Sequence, residues 1–92
     1  MQVLAVKVKL FIPCVQSLKE KRRITKSLIE KTKNRYNVSI SEVDNQDYHQ
    51  TLTLGIAVVT NDLVFSQKIL NETIKYIELN EEAEVREIEH YL

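Results

Sequence analysis

Ninety-two residues, 28% charged and 43% apolar, are enough for one folded domain spanning 1–92 and too few for a deep internal catalytic cavity; the composition also excludes a disordered chain. The single Cys14 excludes an internal disulfide and a cysteine-built zinc site, which fits a reducing compartment. A formal net charge of zero hides a split: residues 1–36 hold ten basic side chains against two acidic ones (+8), and the remainder three basic against eleven acidic (−8).

From Gln2 to Ile12 the even positions Leu4, Val6, Val8, Leu10 and Ile12 are all apolar, a period of two that predicts a strand with one face in the core. Lys7 and Lys9 cut the apolar opening too short for a signal peptide or a membrane span, so the protein is expected to be cytoplasmic. Pro13 to Gln16 break the strand. Ser17 followed three residues later by Glu20 is the capping-box pattern and predicts a helix start. Turning 100° per residue from there sets Leu18, Ile24, Thr25, Leu28, Ile29 and Thr32 on one side and Lys19, Arg23, Lys26, Glu30 and Lys33 on the other. Lys21 falls inside the apolar stripe, where an ammonium must snorkel off the helix end or meet a carboxylate.

A second strand is predicted over Asn37 to Val43, then a polar hairpin, Asp44 to His49, and a third strand from Gln50 to Thr60 with Leu52, Leu54, Ile56 and Val58 on one parity. Thr60-Asn61-Asp62 supplies a second helix start, with Asn61 as the cap and Asp62 favourable beside the helix dipole. That helix, about Asp62 to Glu78, is expected to turn Leu63, Ser66, Ile69, Leu70, Thr73, Ile74 and Ile77 inward. Leu79 to Glu82 lead to a last strand, Ala83 to His90, in which Val85 and Ile88 differ in parity and imply a bulge between them.

The order β-α-β-β-α-β with right-handed crossovers defines an α+β, ferredoxin-like sandwich: one four-stranded antiparallel sheet with two helices on one face. In that topology the first turn of the first helix and the acidic hairpin lie at the same end of the sheet. Lys21 is therefore expected to form a structural ion pair with Glu42 or Asp44, which alternation puts on one face.

Few residues suggest chemistry. Glu42, Asp44, Asp47 and His49 are the densest set of metal-capable side chains, but two sit on a strand and two in a turn, a poor frame for a cation, and no metal is expected. Cys14 has no adjacent base, His90 no partner in sequence, and Gly55 is a lone strand glycine that marks a bulge or a close approach. With no glycine-rich phosphate loop and no Ser/His/Asp or Cys/His arrangement, the chain reads as non-enzymatic and without a cofactor. The sheet face away from the helices should carry Val3, Ala5, Lys7, Lys9 and Phe11 beside Thr51, Thr53, Gly55, Ala57 and Val59. Phe11 alone does not make an aromatic RNA-stacking sheet. Small apolar residues instead suit self-association through Ala5, Phe11, Ala57 and Val59.

Three blocks, Ser17-Leu18-Lys19-Glu20-Lys21-Arg22-Arg23, Asn37 to Asp47, and Leu54-Gly55-Ile56-Ala57-Val58-Val59-Thr60-Asn61-Asp62, resemble the YlxP-like family of small bacterial proteins of uncharacterised function. The resemblance covers essentially the whole chain. It implies a ferredoxin-like fold and, because the family's genes commonly lie among those for transcription elongation, translation initiation and ribosome maturation, a link to RNA or ribosomes. Cys14 and the apolar Leu63-Val64-Phe65 depart from the family's usual pattern, so Val64 and Phe65 become candidate partner contacts.

Two functions are consistent with these features. One is an RNA- or ribosome-binding protein in which Lys19, Arg22, Arg23, Lys26 and Lys33 meet phosphates and the helix N-terminus adds backbone donors. The other is a homodimeric protein-interaction module that associates through the open sheet, with the charge split orienting a partner.

Overall fold

A computed structural model describes residues 1–81 and 83–92. In chain order the elements are β1 (Gln2–Phe11), α1 (Leu18–Arg35), β2 (Ser39–Asp44), β3 (Thr51–Thr60), α2 (Leu63–Glu81) and β4 (Glu84–His90). The strands form one antiparallel sheet ordered β2-β3-β1-β4, and both helices lie on the same face of it. This is the ferredoxin-like sandwich. The even-numbered residues of β1 and β3, from Val6 to Leu10 and from Leu52 to Val58, are buried beneath Leu28 of α1 and Leu70 and Ile77 of α2. Each such side chain removed from water contributes roughly 1.5–3 kcal/mol, so these two central strands and the helix stripes carry most of the stability.

Caps set the helix starts. Ser17 is extended (φ −147°, ψ 157°), and its hydroxyl accepts from the Glu20 N–H at 3.1 Å. At α2 the cap is Asp62 and not Asn61: the Asp62 carboxylate accepts from the Val64 N–H at 3.0 Å, and its carbonyl takes the first helical bond from Ser66. Thr60 braces that turn, with its hydroxyl donating to the Asp62 carbonyl and lying 2.5 Å from the Ser66 hydroxyl. Ser66 and Thr73 are buried in the middle of the inward face of α2. Leu63, expected to face inward, is instead 44% exposed at the first turn of α2. α2 runs past Glu78 to Glu81; of the expected link to β4, Glu82 lies outside the described residues.

Two bulges break the strand alternation. Between β1 and β4 the register slips between Lys9 and Leu10, leaving Arg86 as the extra residue, so that Val85 and Ile88 both face the helices despite their opposite parity. Between β2 and β3 the slip falls between Glu42 and Asp44: Glu42 pairs with Leu54, on the core side, and Asp44 with Thr53, on the open side. Glu42 and Asp44 therefore point to opposite faces of the sheet, which corrects the simple alternation of the sequence. The extra residue, Val43, lies across Gly55, where an added Cβ would sit 2.9 Å from Val43 Cγ1. Gly55 is thus a position of close side-chain approach.

Candidate functional site

The basic stretch divides between the interior and the surface. Lys21 is fully buried, and its Nζ lies 2.6 Å from Glu42 Oε2 and donates to the Asn45 carbonyl at 2.7 Å. The contact with Glu42 is an ion pair, and the Asn45 carbonyl takes the ammonium's hydrogen bond. Asp44 has no part in this pair. The bulge turns it to the open face, where its carboxylate accepts from the Asn45 N–H at 2.8 Å. Asn45 adopts the left-handed conformation (φ 60°), which an asparagine tolerates in a turn. Its carbonyl thereby holds Lys21 on the helix side while its side-chain oxygen accepts from the buried Thr53 hydroxyl at 2.5 Å on the other. The hairpin is pinned to α1 and β3 by this one residue. The same bulge separates Glu42 from Asp44, so the carboxylates singled out as a metal-capable set do not converge.

Lys19, Arg22, Arg23, Lys26 and Lys33 are all exposed. Among the described residues three ion pairs form, Lys7–Glu89, Lys21–Glu42 and Arg86–Glu84, and none of them uses these five cations. Arg22, Lys26, Glu30 and Lys33 line a groove between α1 and the β2 edge, together with Thr25, Ile29, Ser41 and Glu42. Lys19 and Arg23 stand beside Ser17 and Glu20 at the first turn. The ridge therefore has two parts, one along the sheet edge and one at the positive end of the α1 dipole. Because β2 and β4 are the two edges of the sheet, the acidic side chains of β4, Glu84, Glu87 and Glu89, lie at the edge opposite the α1 cations. Folding cancels part of the charge split, through Lys7–Glu89 and Lys21–Glu42, and leaves the exposed α1 cations at the edge opposite β4.

A third basic feature was invisible in the sequence. At the end of α1, Arg35 lies 5.2 Å from the ring centre of Tyr76 and 5.9 Å from that of Tyr36, and the two rings meet edge to face at 5.7 Å. The adjacent Tyr36 side chain raises the Arg35 guanidinium above its ordinary value. The only sequence signal was the Arg35-Tyr36 dipeptide; Tyr76 is brought in by α2.

The open sheet face has two distinct halves. At one end lies a trough of about 660 Å³ lined by Ala5, Gly55 and Ala57, with Ser39, Ser41 and Val43 on one side, Tyr91 and Leu92 on the other, and Lys7 at its boundary with the charged half. Ala5 and Ala57 are paired across β1 and β3, and the next row is the pair Val3 and Val59, the latter 56% exposed. Toward the other end the face is charged. Lys7 sits 3.6 Å from Glu89, and the Tyr91 hydroxyl, with Glu89 adding a smaller effect, raises its pKa above the ordinary lysine value. Phe11 belongs to this second half and not with Ala5, Ala57 and Val59: it is covered by the Arg86 guanidinium at 4.7 Å, six residues along β1 from Ala5, about 20 Å away.

Fold and surface together define a ferredoxin-like α+β protein with one cationic helix flank and an uncovered sheet. The chain belongs to the family described as "Protein of unknown function (DUF503)", whose model matches residues 3–90. It is 40% identical over 68 residues, 74% of either chain, to "Uncharacterized protein YlxP" of Bacillus subtilis (strain 168). Among solved structures it is similar to the de novo designed ferredoxin-fold protein LFR1 1, with a TM-score of 0.59, 20% identity and coverage of 95% of this chain and 87% of that one. The de novo designed protein Foldit4 matches with the same score at 18% identity, over 99% of this chain and 98% of its own. At these identities the two designs speak for the fold alone.

Proposed function

We propose that this chain is a cytoplasmic, non-enzymatic RNA-binding protein that contacts structured or ribosomal RNA through α1. The observation that supports it is the set of five exposed α1 cations, Lys19, Arg22, Arg23, Lys26 and Lys33, none of which is ion-paired among the described residues and which outnumber Glu30, the one exposed acid beside them. A lysine or arginine kept in solvent without a partner costs a folded protein little, but five on one helix flank repel one another, and a polyanion relieves that repulsion. The α1 N-terminus at Ser17 adds partial positive charge beside Lys19 and Arg23. The acidic β4 edge would be turned away from the RNA, which fixes the direction of approach.

Fluorescence anisotropy with a structured ribosomal RNA fragment tests this. With about five phosphates engaged at roughly 0.7 log units each, affinity should fall about a hundredfold between 50 and 200 mM salt. Arg23→Glu/Lys26→Glu should abolish most of the binding, while Lys68→Glu/Lys75→Glu on α2 should leave the salt slope intact. Equal affinity for the first double variant and the parent protein, or no co-sedimentation with ribosomal subunits at low salt, would overturn the reading.

A further inference from the structure

On the RNA reading above, on which this rests, we infer that the groove between α1 and the β2 edge seats one phosphate group of the bound RNA, held by Arg22 and Lys26 with the Thr25 hydroxyl as a third donor. Thr25 is the telling residue. Among the described residues Thr25, Thr32 and Thr73 are the threonines buried on the helices. Two of them satisfy their hydroxyls inside the helix, Thr32 on the Leu28 carbonyl and Thr73 on that of Ile69, each at 2.7 Å. Thr25, 5% exposed, makes no such bond, and its hydroxyl has no hydrogen-bond partner among the described residues. A buried hydroxyl in that state is a standing cost to the fold. Thr25 is also the one that lines the groove beside Arg22 and Lys26. An acceptor brought in by a ligand supplies what the helix does not.

Donors reach the groove from two elements. Arg22 and Lys26 stand one turn apart on α1 and bracket Thr25, and Ser41 brings a second hydroxyl from β2. Turning 100° per residue, Arg22, Lys26 and Lys33 fall within about 40° of one another, and Thr25 lies between that row and the core stripe. Lys33 is seven residues beyond Lys26, about 10 Å along the axis, so it meets a neighbouring phosphate and not the same one. A guanidinium, an ammonium and hydroxyls all donate. A tetrahedral phosphodiester, whose free oxygens only accept, takes such donors from several directions at once. The acids of the groove leave it cationic: Glu42 is held by Lys21 at 2.6 Å, and Glu30 alone stands against three cations, an excess of two positive charges. In the free chain the Thr25 hydroxyl is covered by its neighbours, and a turn between the two χ1 rotamers that threonine uses in a helix brings it to the anion.

Thr25→Val in the full chain tests this, because it keeps the shape of the side chain and removes the hydroxyl. In fluorescence anisotropy with the ribosomal RNA fragment at about 100 mM salt, its dissociation constant should be about tenfold above that of the parent, with the salt slope unchanged. Thr25→Ser should bind as the parent does. In urea Thr25→Val should denature no earlier than the parent, since the hydroxyl it loses had no partner among the described residues. Arg22→Gln should weaken binding and reduce the salt slope by about 0.7. Inorganic phosphate probes the seat without RNA: it should shift the Thr25 methyl resonance saturably in the parent and not in Arg22→Gln. RNA bound equally well by Thr25→Val overturns the seat and leaves the RNA reading standing. A chain that takes inorganic phosphate at Thr25 and has no affinity for RNA overturns the assignment to RNA. Earlier denaturation of Thr25→Val makes Thr25 a packing residue and overturns its role as a donor.

Discussion

Lys21 shows how one residue can look like part of a surface motif and belong to the interior. Its neighbours in sequence are cations in solvent, yet the helical turn aims it at the core side, where Glu42 and the Asn45 carbonyl share its ammonium. Removing one partner strands the other. Lys21→Met should therefore cost about 3 kcal/mol in urea denaturation, because Glu42 is left partly buried without its cation and Asn45 without a donor. Replacing both, Lys21→Met with Glu42→Leu, should recover most of that loss, since an apolar pair avoids the desolvation of two charges. Gly55 poses a steric question of the same scale. Gly55→Ala should cost about 1 kcal/mol through the 2.9 Å approach to Val43, and Val43→Ala in the same chain should return part of it.

Caps and bulges decide what each element presents. Asp62, not Asn61, accepts from the first turn of α2, so Asp62→Ala should cost about 1 kcal/mol and Asn61→Ala less than about 0.5, measured as shifts in denaturation midpoint. Ser17→Ala should match the Asp62 loss at α1. The bulge at Val43 has a larger consequence than either cap. By inserting one residue it keeps Glu42 on the core side for Lys21 and sends Asp44 to the open side, so one short strand serves both faces. The β4 bulge at Arg86 acts likewise, holding Val85 and Ile88 toward the helices while its own side chain covers Phe11.

Across the molecule, strand order cancels one part of the charge split along the sequence and separates the rest in space. β1 carries basic residues and β4 acidic ones, and their pairing neutralises the centre of the open face. α1 sits at the far edge, beside β2, beyond the reach of β4, and keeps its cations. Because those side chains make no ion pairs among the described residues, Arg23→Glu/Lys26→Glu should change folding stability by less than about 0.5 kcal/mol. Loss of RNA affinity in that variant would then report on the surface and not on unfolding.

The element order, the core parity of β1 and β3, the Ser17 cap and the outward cations of α1 were legible from the residues alone, because helical and strand periodicity and capping chemistry are local. Even the β4 bulge left a trace in the mismatched parity of Val85 and Ile88. Nothing local marked the bulge at Val43, where Glu42, Val43 and Asp44 read as plain alternation; the extra residue arises from pairing against β3 and from the need to seat Asn45 between Lys21 and Thr53. Nor could sequence show that Leu63 would stay exposed, that Arg86 would cover Phe11, or that Tyr76 would meet Arg35 and Tyr36, since each depends on contacts between elements distant along the chain. Periodicity determines which side of an element faces the core. Only the packed sheet decides which of the outward residues meet one another, and so which surface stays charged and which stays apolar.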